Sequence, residues 1–252
     1  MTVLYRLRIA LLYLMLGLTA AVWCITGVVV TPFMSFRNRY LYIAYSWCRC
    51  AVWMTRWLVN IQYQVTGWEH VPKQPCVILS NHQSTWETFF LTGSFEPLTQ
   101  VLKREILAIP FFGWAIWLLK PIAINRSNPK EALKQVAEQG PERLKKGIWI
   151  LIFPEGTRTP VGQPGKFTRS GASIAAATGL PVLPIAHNAG MFWPKEGWSK
   201  RPGTIQVIIG PPMYAEGQEP RAVAELNQRA ERWIREHTSQ LERQESERRL
   251  SL

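Results

Sequence analysis

Residues 9–36, IALLYLMLGLTAAVWCITGVVVTPFMSF, contain no charged side chain. A helix crosses a hydrocarbon core with about 20 apolar residues, so this run is long enough to span one. A helix in a water-soluble fold keeps a polar face, which a run of this length without charge does not provide. A secretory leader has a shorter apolar region and a small-residue cleavage site, whereas this run exits into FRNR at 36–39. A second apolar segment, 40–59, is rich in Tyr and Trp and is interrupted by Arg49 and Arg56. Seven residues apart, these two share a helical face that suits lipid headgroups. A full transmembrane hairpin would carry Arg37 and Arg39 to the far side, against the positive-inside tendency. Residues 1–60 are therefore expected to anchor the chain. They form either two helices dipping into the cytoplasmic leaflet or one span followed by an interfacial helix.

Charge reinforces this reading. The formal net charge is +12 over 252 residues, and no acidic residue precedes Glu69. Arg6, Arg8, Arg37, Arg39, Arg49 and Arg56 supply half the excess beside the apolar stretches. Such a balance suits anionic partners: phospholipid headgroups, nucleic acid or an acidic carrier protein. Aspartate is absent throughout, so any catalytic carboxylate is Glu, and Asp-based triads and Asp-rich magnesium sites are excluded. Cys24, Cys48, Cys50 and Cys76 have no zinc or disulfide-framework spacing and read as buried thiols in a reducing compartment.

From residue 61 the texture changes to short apolar runs alternating with helical periods. Strands are predicted near 61–66, 76–80, 99–103, 121–124, 148–153, 182–186 and 204–209. Helices are predicted near 84–94, 110–119, 129–146 and 168–179. The alternation favours an α/β domain over 61–252, with helices covering a largely parallel central sheet, an αβα arrangement. The tail from Glu219 reads as one amphipathic helix followed by a solvated end. Ligands of such folds gather beyond the carboxyl ends of the strands.

Chemistry-bearing residues recur at those ends. NHQSTWE, 81–87, follows the apolar run 76–80. Five helical residues would leave His82 and Glu87 about 140° apart. A turn before a helix beginning near Ser84 or Thr85 can instead fold the imidazole back to the carboxylate. A His–Glu pair fixes the tautomer and lets the other ring nitrogen take a proton. FPEGTRT, 153–159, leaves the next strong strand: Gly156 permits a tight turn and Arg158 suits bidentate phosphate binding. Glu155 reads either as a second carboxylate or as an anchor for backbone amides or Arg158. KREILAIPFFGWAIW, 103–117, offers Lys103 at a strand end, then breaks at Pro110 and Gly113 within an aromatic run suited to an acyl chain or a membrane surface. Arg126, Lys166 and Arg169 lie at further strand exits or helix entries, a rim suited to phosphate. His70, His82, His187 and His237 lack metal-site spacing, and the P-loop and GxSxG patterns are absent.

Together these blocks resemble the glycerolipid acyltransferases, in particular the bacterial lysophosphatidic acid acyltransferases. Asn81, His82 and Glu87 are similar to the first family block, although Asp is its commoner acid. Lys103, Glu105, Pro110 and Gly113 resemble the second, and Phe153, Pro154, Glu155, Gly156, Thr157 and Arg158 the third. Leu183, Pro184, Ile185 and Ala186 resemble the fourth. The resemblance implies acyl transfer from acyl-CoA or acyl-ACP to the sn-2 hydroxyl of lysophosphatidic acid, giving phosphatidic acid, at the cytoplasmic face of the bacterial inner membrane. It makes His82 the general base and Glu87 its orienter. Arg158, Lys103, Arg126 and Lys166 become phosphate ligands, and neither metal nor resident cofactor is expected. Alternatives are another lysolipid acceptor, such as lyso-ornithine lipid, and a catalytically inactive lipid-binding membrane protein. A nucleic-acid binder is motivated by basicity alone and is disfavoured because half the excess charge flanks apolar helices.

Overall fold

The computed structural model describes residues 2–125 and 127–251. In chain order the elements are α1 (Val3–Val30), α2 (Phe36–Tyr40), α3 (Ser46–Val59), β1 (Ile61–Thr66), β2 (Val77–Ser80), α4 (Trp86–Thr92), β3 (Leu98–Lys103), α5 (Phe112–Leu118), β4 (Ile122–Ile124), α6 (Pro129–Lys145), β5 (Trp149–Ile152), α7 (Ser170–Thr178), β6 (Val182–His187), β7 (Gly203–Ile209) and α8 (Pro220–Leu250). Each predicted strand forms within one residue of its expected ends. The tail is corrected: α8 continues to Leu250, so the solvated end shrinks to residue 251 among the described residues.

The chain folds as two compact units, Met1–Asn60 with Thr88–Ile150, and Ile61–Glu87 with Leu151–Leu252. Residues 88–150 thus group with the N-terminal segment.

In the first unit, α1 belongs to the single stretch, Val3–Phe33, that is long and apolar enough to cross a membrane among the described residues. It buries Ile9, Leu12, Leu16 and Cys24 and leaves Leu4, Leu7, Leu11, Leu14, Leu18 and Val22 exposed. An apolar surface of that kind is stable against lipid rather than water. Phe36 to Val59 is helical throughout, with a π-helical turn at Leu41–Tyr45 between α2 and α3. Polar ties pair this helix antiparallel to α1. Tyr5 donates to the Val59 carbonyl at 2.9 Å, Trp47 to Thr19 at 3.2 Å, and Trp23 to Ser46 at 2.8 Å. Arg49 and Arg56 remain exposed as expected, but Cys50 is half-buried, unlike the other three cysteines. β3 and β4 pair in parallel with Val101 opposite Ile122, and α6 packs on β4. An apolar cavity of about 260 Å³ in this unit is lined by Trp23, Tyr40, Trp47, Phe89, Phe112 and Ile116 among others.

In the second unit, β1 and β7 are parallel, as are β2 and β6, while β6 and β7 are antiparallel. β2 and β6 are buried along their whole length, which explains their near-continuous apolar sequences. α7 packs on β2 and α8 on β6. Because β2 and β6 run in parallel, Ser80 and His187 finish at the same edge. The reactive turn leaves from that edge.

Candidate active site

Ser84 and Glu87 shape the turn between β2 and α4. The Ser84 hydroxyl accepts the Trp86 amide at 3.1 Å, satisfying a donor that the first helical turn would otherwise leave open. Glu87, at the second position of α4, folds its side chain back over the turn. Its Oε1 accepts the Gln83 amide at 3.0 Å, the Ser84 amide at 2.8 Å and His82 Nδ1–H at 2.8 Å. The five-residue spacing is thus bridged by a turn, as the strand-to-helix reading required. With Nδ1 donating to a carboxylate, Nε2 is the nitrogen left to accept a proton.

Glu87 is fully buried, while the His82 side chain keeps about a fifth of its surface exposed. The imidazole lies flat on Phe153, with ring centroids 4.0 Å apart and planes 14° from parallel. Burial by itself would raise the Glu87 carboxyl. The His187 imidazole, the hydrogen bond and charge of His82 and the Ser84 amide outweigh it and hold the carboxyl below its ordinary value.

His187, also buried, is held below its ordinary value by desolvation, against the pull of Glu87 and the Asn81 backbone. Its hydrogen bonds agree with a neutral ring. Nε2–H donates to the Asn81 carbonyl at 2.9 Å, and Nδ1 accepts the Ala189 amide at 3.2 Å. With His187 neutral, the hydrogen bonds from His82 and the turn amides dominate the stabilisation of the Glu87 charge. Asn81 completes the brace, donating to the His187 carbonyl at 2.9 Å and accepting its amide at 3.1 Å. Pro184, opposite Leu79 in the β2–β6 ladder, belongs to the same wall.

Glu155 resolves its two expected roles in favour of a backbone anchor. Its Oε2 accepts the His82 amide at 2.9 Å and its Oε1 the Gly165 amide at 3.1 Å. The Thr159 amide donates to the His82 carbonyl at 2.7 Å. The loop after β5 therefore grips the histidine backbone on both sides. Gly156 turns that loop at φ 71°, which suits glycine, and Thr157 beside it is exposed. Arg158 donates from Nη1 to Thr85 Oγ1 at 2.8 Å, which places a guanidinium on the turn that carries His82.

The other expected phosphate ligands are Lys166, Lys103 and Arg126. Lys166 is exposed on the same loop, and no contact ties it to His82 or Arg158 among the described residues. Lys103 belongs to the first unit, where it pairs with Glu105 at 3.5 Å. Arg126 lies outside the described residues. Pro110 and Gly113 shape a tight bend in the first unit: a Cβ on Gly113 would stand 2.3 Å from the Leu107 carbonyl oxygen.

Sequence reasoning missed four supports: Phe153 as a stacking surface, His187 as a neutral brace, Gln83 and Lys200. Gln83 Nε2 donates to Glu242 of α8 at 2.6 Å. Lys200 is buried against Trp193, with Nζ 4.9 Å from the ring centroid. Burial, helped by the Arg158 charge, pushes its ammonium down to about 8. His187 follows the Pro-Ile strand directly and could have been found by that position; nothing in WSKRPG distinguishes Lys200.

A buried carboxylate fixing one nitrogen of a partly exposed imidazole, with the other left to accept a proton, is an arrangement for general-base activation of a hydroxyl. The Acyltransferase family model matches residues 62–188, half of the chain, including the whole reactive turn and the loop that grips it. The chain belongs to the acyltransferase family. This acyltransferase is 61% identical to the 1-acyl-sn-glycerol-3-phosphate acyltransferase of Pseudomonas aeruginosa, over 96% of its own length and 94% of that protein. It is 33% identical to 1-acyl-sn-glycerol-3-phosphate acyltransferase alpha of Mus musculus over 68% of its length, spanning 61% of the mouse protein. Its fold matches the crystal structure of the 1-acyl-sn-glycerophosphate (LPA) acyltransferase of Thermotoga maritima with a TM-score of 0.75 at 24% identity, covering 94% of this chain and 98% of that one. The αβα expectation with a largely parallel sheet holds.

Proposed function

We propose that this enzyme transfers a fatty acyl group from a thioester donor, acyl-CoA or acyl-ACP, to the sn-2 hydroxyl of lysophosphatidic acid, giving phosphatidic acid. The carrying observation is the dyad: His82 Nδ1 held 2.8 Å from buried Glu87 Oε1, with Arg158 tethered to the same turn. His82 Nε2 takes the hydroxyl proton as the hydroxyl oxygen attacks the thioester carbonyl. The tetrahedral intermediate collapses, the carbon–sulfur bond breaks, and the leaving thiolate takes the proton back from the imidazolium. Glu87 stabilises that imidazolium while it lasts. General-base catalysis of this kind supplies about 10²–10⁴-fold, and positioning of the two amphiphiles contributes the remainder.

Arg158 binds the acceptor's phosphate as a planar fork; Lys103, Arg126 and Lys166 are assigned to the same task by the family resemblance. The names of the relatives support a phosphorylated acceptor. The apolar cavity of the first unit suits an acyl chain, and α1 with the paired helix suits attachment at the cytoplasmic face of a bacterial inner membrane. The mechanism uses no metal and no resident cofactor. The test is purified enzyme in mixed micelles with each acceptor in turn. Lysophosphatidate should be acylated and the reaction lost in His82→Ala. Full activity on lyso-ornithine lipid with none on lysophosphatidate would refute the acceptor.

A further inference from the structure

A cleft of about 300 Å³ opens in the second unit beside the reactive turn. Gln83, Thr159, Val161 and Met191 line it, and Lys195 and Arg201 contribute cations. Gln83 and Thr159 bear directly on the base: Gln83 follows it in the chain, and the Thr159 amide holds the His82 carbonyl at 2.7 Å. Lys195 and Arg201 are exposed, and among the described residues neither head group is engaged in an ion pair or hydrogen bond. Glu196 is the carboxylate on that wall, so the cleft's cations outnumber its anion by two to one.

Nothing in the mechanism above uses this cleft. The acceptor's phosphate is assigned to Arg158, whose guanidinium is engaged with Thr85 and does not line it. A cleft of this size takes a ligand whole or a substantial part of one. Its lining combines hydroxyl, amide and apolar groups with the cations of Lys195 and Arg201. The donor's carrier arm combines complementary groups. Pantetheine begins at the sulfur that bears the acyl group, continues through two amides and apolar carbons, and ends in a phosphate. That phosphorylated arm is common to coenzyme A and acyl carrier protein.

We propose that this cleft receives the phosphorylated pantetheine arm of the acyl donor, with Lys195 and Arg201 binding its phosphate. The proposal rests on the acyl-transfer reading above and adds to it the place of the donor. It separates the two anionic substrates, with Arg158 serving the acceptor and the Lys195–Arg201 pair the donor.

The test measures steady-state transfer by the full chain and by the Lys195→Gln/Arg201→Gln double variant. Donors are acyl-CoA, acyl-ACP and an acyl-pantetheine that lacks phosphate. Removing two charge-assisted phosphate contacts should raise KM about tenfold for acyl-CoA and for acyl-ACP. KM for lysophosphatidate should stay within twofold, and acyl-pantetheine should not distinguish the two enzymes. A Val161→Trp variant, which narrows the cleft without changing charge, should raise KM for all three donors. Unchanged donor KM in both variants would overturn the proposal. So would a rise confined to lysophosphatidate, which would give the cations to the acceptor, or a rise confined to acyl-CoA, which would give them to its nucleotide phosphates. Failure of the wild-type enzyme to transfer from any thioester would refute the acyl-transfer reading itself, a result distinguishable from these.

Discussion

Glu87→Gln isolates the charge of the dyad from its geometry. Glu87 Oε1 accepts three hydrogen bonds, two of them from the backbone amides of Gln83 and Ser84. An amide NH₂ turned toward those amides and His82 would bring donors against three donors. The glutamine must therefore keep its oxygen where Oε1 is now, and His82 keeps Nδ1–H and the productive tautomer. What disappears is the charge opposite the imidazolium. A hydrogen bond to a charged group contributes about 1.5–3 kcal/mol, so kcat should fall about 10- to 150-fold at about 1.4 kcal/mol per decade. A tautomer switch costs about 10⁴ in a comparable triad. The assay is thiol release from acyl-CoA at saturating lysophosphatidate in mixed micelles, with circular dichroism melts to confirm the fold. A kcat within threefold of wild type would show that the carboxylate charge does no work. A loss beyond 10⁴ in a folded variant would show that Nδ1 is not held as described. The acid limb should move as well. Because the folded Glu87 carboxyl is lowered, its stabilisation is present above its ordinary value of 4.5 and is lost as pH falls through the folded value. The variant should lack that part of the acid destabilisation.

Glu87→Asp draws the carboxylate back by about one carbon–carbon bond, ~1.5 Å, so the 2.8 Å contact to His82 opens and kcat should drop at least tenfold, as progress curves will show. Arg158→Lys should raise KM for lysophosphatidate about tenfold with a smaller change in kcat, since an ammonium cannot reproduce the bidentate fork; equal KM values would refute the phosphate assignment. Lys200 sits at about 8 in the fold against an ordinary 10.5, so its protonated form is disfavoured in the folded state, and folded stability rises as pH climbs through that window. Wild type should therefore gain melting temperature relative to Lys200→Met between pH 8 and pH 10.5, and parallel profiles would contradict the burial. Gly113→Ala drives a methyl to 2.3 Å from the Leu107 carbonyl oxygen and should destabilise the fold by about 1–3 kcal/mol, visible as a lower melting temperature.

The sequence revealed most where one local signal sufficed. VILS at β2, apart from its terminal Ser80, and WILI at β5 are apolar because every residue in them is buried, and that alone placed NHQSTWE and FPEGTRT at strand exits. The pairing of His82 with Glu87 was legible because a strand, a turn and a helix start leave few other ways to bridge five residues. Glu155 was legible only as a choice between a second carboxylate and an anchor for backbone amides or Arg158. Two of its partners are backbone amides, one of them 73 residues away, and amides carry no residue-specific signature. His187 was passed over as one scattered histidine, since its value lies in being neutral and hydrogen-bonded on both nitrogens. Lys166 and Lys103 looked alike in sequence as basic residues at strand or helix ends, but the fold ties neither to the reactive turn by any described contact. Cys50 was expected to be buried because its surroundings are apolar, yet part of its surface remains exposed.

The hydrogen bond from Gln83 to Glu242 spans 159 residues of chain. Synthesis proceeds at about 5–20 residues per second, so the two halves of that contact emerge roughly 8 to 30 seconds apart. During that interval the histidine and its carboxylate already exist, but the C-terminal helix that braces the neighbouring side chain does not. Nor, for the first part of it, does the Glu155 loop that grips the histidine backbone. α1 has by then long left the ribosome. The order of the chain thus puts the apolar helix first and the last brace of the reactive turn near the end, so a nascent polypeptide can meet a bilayer before its base is locked in place.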